Sequence, residues 1–149
     1  MSGHSTLAVW LRETRANFLV LSVVLVFIGG AAAFRATGMD FFLFALTLAG
    51  VVLAHISVNL LNEYSDWKTG IDDHTTRTPF SGGSGMMQAG HIAPPKVRAA
   101  AWGTLLAAFA IGLFLAWKTG WPVLALMAAG GFTSLLYSQH LARWTLGEA

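Results

Sequence analysis

Four stretches of this chain are long, apolar and free of Lys, Arg, Asp and Glu in their interiors, and they leave it very few ways to fold. They run over residues 18–34, 41–61, 97–117 and 121–137. A helix of about 20 apolar residues crosses a hydrocarbon core of about 30 Å. A soluble bundle of four buried helices would carry polar faces, and these stretches carry almost none. The expected fold is all-α: a polytopic transmembrane helical bundle with about four membrane-spanning helices in a lipid bilayer. Composition agrees. Of 149 residues, 55% are hydrophobic and 11% are charged, against about 25% charged in an ordinary soluble domain. That balance excludes a disordered chain and a nucleic-acid-binding protein. With no cysteine, disulfides, thiol nucleophiles and Cys-ligated zinc are excluded too.

The first stretch ends in Ala31-Ala32-Ala33, which resembles a signal-peptidase site. Its apolar run is longer than an ordinary signal sequence, and Arg12 and Arg15 lie well inside the chain, so a retained span is expected. Short turns join the first span to the second (35–40) and the third to the fourth (118–120), as befits antiparallel neighbours. Between the second and third lies a polar island, 62–96. It holds Glu63, Asp66, Asp72 and Asp73, four of the seven acidic residues. Arg12, Arg15, Lys68, Arg77, Lys96, Arg98 and Arg143 fall on the island's side, and only Arg35 and Lys118 fall on the other. The positive-inside rule then places loop 62–96 and both termini in the cytoplasm.

Helical spacing gives the island a chemical direction. His55, Asn59, Asn62 and Asp66 are four, three and four residues apart, which puts them on one helical face. Polar groups within a span normally face a bundle interior or a wet cavity. Glu63 lies about 100° round the helix from Asn62, Gly70 breaks the helix, and Asp72 and Asp73 follow. A rim of carboxylates and an Asn is a hard-oxygen site suited to Mg²⁺, which takes one or two carboxylates with water and phosphate oxygens. A bridging Mg²⁺ would let such a rim hold a diphosphate that it would otherwise repel. Lys68, Arg77 and the backbone amides of Ser81 to Gly85 supply further positive field. Each element also has an ordinary reading: an Asp pair as a solvated helix end, Asn as glue between helices, 81–85 as a flexible linker, His55 as a packing residue. Their ordered clustering at the end of one span favours a site.

The string Asn59-Leu60-Leu61-Asn62-Glu63-Tyr64-Ser65-Asp66-Trp67-Lys68-Thr69-Gly70-Ile71-Asp72 resembles the first aspartate-rich motif of the UbiA superfamily of intramembrane prenyltransferases. Its Gly-x-Asp ending is closest to the branch that prenylates 1,4-dihydroxy-2-naphthoate in menaquinone synthesis. Arg77-Thr78-Pro79-Phe80-Ser81-Gly82-Gly83-Ser84-Gly85 is similar to that family's loop after the motif. Tyr137-Ser138, Leu141, Arg143 and Leu146-Gly147-Glu148 resemble its loop after the fourth helix. The resemblance implies Mg²⁺-dependent transfer of a prenyl group from a polyprenyl diphosphate to an aromatic acceptor in the cell's inner membrane. By position, it implies that Asn62, Glu63, Asp66 and Asp72 hold Mg²⁺ and diphosphate, with Asn62, Asp66 and Asp72 central to catalysis. Asn59 then lines the cavity, and Lys68, Arg77 and Ser81 attend the substrate.

Two departures stand out. Glu63 occupies a position where many members have Asp, and no second aspartate-rich motif follows before Ala149. The expectation is therefore an N-terminal half of such a domain, either a truncated gene product or one piece of a split enzyme whose other half lies on a second polypeptide, and inactive or incomplete alone. The alternative from another class is a non-catalytic small membrane subunit or carrier that oligomerises, its acidic island an ion gate or docking surface.

Overall fold

A computed structural model of the chain describes residues 5–71 and 82–136, with side chains up to residue 133. The described residues form helices α1 (Thr6–Glu13), α2 (Ala16–Thr37), α3 (Phe41–Thr69), α4 (Pro94–Thr119) and α5 (Pro122–Leu136), with no strand among them. The all-α expectation is met. Helices α2, α3 and α4 are each long and apolar enough to cross a membrane, and α5 is a shorter apolar helix.

Local chemistry sets the helix ends. Asp40 caps α3 by accepting the N–H groups of Phe42 at 2.9 Å and Leu43 at 3.1 Å. Gly70 ends α3 at φ 69°, its N–H returning to the Asp66 carbonyl at 2.9 Å. At 29 residues, α3 runs about 44 Å, so its polar last turns project beyond a hydrocarbon core. Pro94 and Pro95 open α4, where missing N–H groups cost nothing.

Helix α1 has no counterpart among the four apolar stretches. It is amphipathic: Val9 and Glu13, one turn apart, are buried, while Leu7 and Leu11 are exposed. Ser5 caps it, accepting the Ala8 N–H at 3.2 Å. The step into α2 is an elbow at Thr14-Arg15. Arg15 sits at φ 51°, ψ 52°, and is the one described non-glycine residue with positive φ. That conformation costs an L-residue about 1–2 kcal/mol and persists only where neighbours hold it.

Packing is uneven along the bundle. The pair α3 and α4 makes the most extensive contact. Ser57 donates across it to the Ala101 carbonyl at 2.9 Å, and Gly50 of α3 lies close against Ile111 of α4, while Gly112 of α4 faces Met127 of α5. The densest cluster joins Val9, Leu60, Met86, Met87, Ile92, Val97 and Ala101 at the island end. By contrast α2 buries no residue, and Leu21, Leu25, Ile28 and Phe34 are more than half exposed. In water such a face would be a severe liability; against lipid tails it is the ordinary state of a spanning helix.

Candidate functional site

The polar residues of α3 divide into two arcs. His55, Asn59 and Glu63 recur every fourth residue and turn towards the α1–α2 elbow. His55 Nδ1 and Ser22 Oγ of α2 share a hydrogen bond at 2.7 Å. Asn59 Nδ2 donates to the Thr14 carbonyl at 2.9 Å. Glu63 Oε1 lies 3.6 Å from Arg15 Nε. This arc fastens α3 to the N-terminal helices, which is the packing role that His55 and a helix-gluing Asn admit. Asn62 and Asp66 occupy the adjoining arc, one turn apart and half-buried. Lys68 is exposed in the last turn of α3.

Glu63 is almost fully buried, and both of its oxygens are engaged. The Ser84 N–H donates to Oε2 at 2.8 Å and to Oε1 at 3.1 Å. The Ser84 hydroxyl donates to Glu13 Oε2 at 2.6 Å and accepts the Met86 N–H at 3.2 Å. Two carboxylates from different helices therefore meet on a single serine. Glycines flank that serine at positive φ, Gly83 at 67° and Gly85 at 71°, a conformation that costs glycine nothing. After Gly85 the chain makes one helical turn, with Ala89 N–H to Gly85 O at 3.0 Å and His91 N–H to Met86 O at 2.9 Å. The turn seats Met86 and Met87 in the core.

Glu13 is fully buried, and its Oε1 has no hydrogen-bond partner among the described residues. Burial pushes its carboxyl up to about 7, the Ser84 hydrogen bond draws it back, and the nearby Glu63 raises it further. A carboxyl that keeps its proton near neutrality can sit beside the Glu63 carboxylate without full like-charge repulsion.

Of the residues expected from the sequence, the structure brings Asn62 and Asp66 onto one arc beside Glu63, and commits Asn59 to the elbow. Asp72, Arg77 and Ser81 lie outside the described residues. Among the described residues, no group of three or more His, Asp or Glu side chains is placed to hold a metal ion. Sequence reasoning missed Glu13, Arg15 as a contact residue, and the Ser84 hydroxyl; it set the Ser84 amide among those facing phosphate, whereas that amide donates to Glu63. The i, i+4 pairing of Val9 with Glu13 was the available signal for α1 and its buried carboxyl. Nothing local in the sequence marks Ser84 apart from the glycines on either side.

Comparison with known proteins agrees with the resemblance in the motif. The model of the UbiA prenyltransferase family matches residues 22–149. No curated protein and no solved structure matches the chain.

Proposed function

Because the chain belongs to the UbiA prenyltransferase family, a family of membrane prenyltransferases, we propose that it serves Mg²⁺-dependent transfer of a prenyl group from a polyprenyl diphosphate to an aromatic acceptor in quinone-type biosynthesis. The site is the island end of α3. The observation that carries this reading is the half-buried pair Asn62 and Asp66 on a helix that carries no charged residue for about its first six turns. That arrangement joins an oxygen-ligand rim to a greasy wall, the two environments a prenyl diphosphate needs.

Asn62, Asp66 and Asp72 are the proposed metal-facing residues. The donors suit Mg²⁺, which takes few protein carboxylates and fills its shell with water and phosphate oxygens. When bound, Mg²⁺ would neutralise the diphosphate and stabilise its charge as a leaving group. The chain's own groups do the rest. Arg77, Lys68 and Ser81 meet the remaining phosphate charge. The apolar helices hold the isoprenoid tail and keep water from the reacting carbon. There the allylic C–O bond breaks with its electron pair leaving on diphosphate. The electron-rich ring forms the new C–C bond, and a proton leaves the ring carbon.

We place the bundle in the cell's inner membrane, with loop 62–96 and both termini cytoplasmic; the Lys/Arg asymmetry supports this. The family resemblance also calls for a second aspartate-rich motif, which residues 1–149 do not contain. The test is radiolabelled prenyl transfer with Mg²⁺, measured on the purified chain alone and with a polypeptide carrying that motif. Asp66→Asn should lower the paired activity at least roughly a hundredfold. Unchanged activity in that variant would instead favour a non-catalytic membrane subunit.

A further inference from the structure

We propose that Glu13 and Glu63 are positioning residues that together hold Ser84, and through it the 82–90 loop, against the end of α3, and that Glu63 is not a metal ligand. Every polar atom of Ser84 on the loop side is committed. Its N–H donates to Glu63, its hydroxyl donates to Glu13 and accepts from Met86. Glu63 is in turn held by Arg15 from the elbow. Its two oxygens thus accept an amide N–H and face a guanidinium, partners that stabilise a buried carboxylate in place, and its burial leaves poor access for a cation.

The extra methylene of Glu63 over an Asp has a use here. It carries the carboxylate past the helix surface to a backbone amide on a loop that begins 13 residues after α3 ends. Asn62 is the adjacent residue and Asp66 lies one turn beyond, so a loop fixed on Glu63 is fixed at the rim. Helix α1 enters the site the same way: its only buried polar group, Glu13, meets the loop and not the membrane. The purpose given to the clamp rests on the prenyl-transfer reading; the contacts themselves do not.

Hydrogen–deuterium exchange on the detergent-solubilised chain tests the clamp. Glu63→Ala should speed exchange in the 82–92 segment at least about tenfold, and Glu63→Gln, which keeps an acceptor for the Ser84 N–H, should restore most of the protection. Ser84→Ala and Glu13→Ala break the same link. Each should loosen the segment by a smaller factor, Ser84→Ala the more because it also removes the acceptor of the Met86 N–H, and the double variant should be no looser than Ser84→Ala. Unchanged exchange in both single variants overturns the proposal.

A second readout separates positioning from mere support: binding of inorganic pyrophosphate with Mn²⁺. Ser84→Ala should weaken it several-fold, while Ser57→Ala, which removes the α3–α4 hydrogen bond, should lower the melting temperature and leave affinity unchanged. If the wild type binds pyrophosphate and Ser84→Ala binds it equally well with a loosened loop, the positioning role is overturned. If the exchange results hold and the wild type, paired with a polypeptide carrying the second aspartate-rich motif, binds no pyrophosphate, the clamp stands and the prenyl-transfer reading falls.

Discussion

Asn59, midway along the polar face of α3, donates its side-chain amide to the backbone carbonyl of Thr14 at 2.9 Å. Thr14 immediately precedes the left-handed Arg15, so this bond ties the interior of a spanning helix to the elbow that redirects the chain. Asn59→Leu should leave the Thr14 carbonyl unpaired in a buried place and cost about 1–3 kcal/mol. Equilibrium unfolding in mixed micelles measures it. A change within about 0.3 kcal/mol would show that the elbow does not depend on Asn59.

The pH dependence of folding should carry the signature of Glu13. Its carboxyl, ordinarily at 4.5, is lifted to about 7, first by burial and then by the neighbouring Glu63, against the Ser84 hydrogen bond. The folded chain keeps a proton that the unfolded chain releases. Stability is therefore greatest below about 4.5, declines as pH rises towards about 7, and levels off above it. Glu13→Gln should remove that slope from a series of melting curves. A slope that survives the substitution would place the titration elsewhere.

Gly30 on α2 faces the Phe44 ring of α3. A Cβ there would stand 2.5 Å from ring atom Cε2. Phe44 is also held edge-to-face by Phe27, with centroids 5.2 Å apart, so the ring has little room to move. Gly30→Ala should destabilise the α2–α3 contact by about 1–3 kcal/mol. Gly29→Ala, which meets nothing within 4 Å, is the control and should be silent or slightly stabilising.

Ser22 of α2 and His55 of α3 share a hydrogen bond at 2.7 Å. In membrane proteins such bonds average about 0.6 kcal/mol and reach about 1.7 kcal/mol. A double-mutant cycle with Ser22→Ala and His55→Ala should return a coupling in that range. Strict additivity would mean that the two helices find each other through packing alone.

The aspartate-rich string was legible in the sequence because its residues are local: a helix puts 62 and 66 on one arc by geometry alone. The roles of Asn59 and Glu63 were not legible. Asn59 reads as a member of one stripe with Asn62 and Asp66, and Glu63 as a neighbour at the same rim, yet their partners are Thr14, 45 residues away, and Ser84, 21 residues away. Glu13 was hidden for a related reason: as one charged residue among Arg12, Thr14 and Arg15, it reads as part of a solvated flank.

The sequence by itself determined that this chain is a helical membrane bundle, where its apolar helices run, where α3 ends, and which family it belongs to. Those properties follow from hydrophobicity, helical period and a contiguous motif, each carried by neighbouring residues. Only the tertiary structure decided which carboxylates face the rim and which face inward onto a serine. That choice depends on how the elbow at Arg15 brings α1 back beside the end of α3, and no local pattern encodes meetings between residues 21 and 71 positions apart.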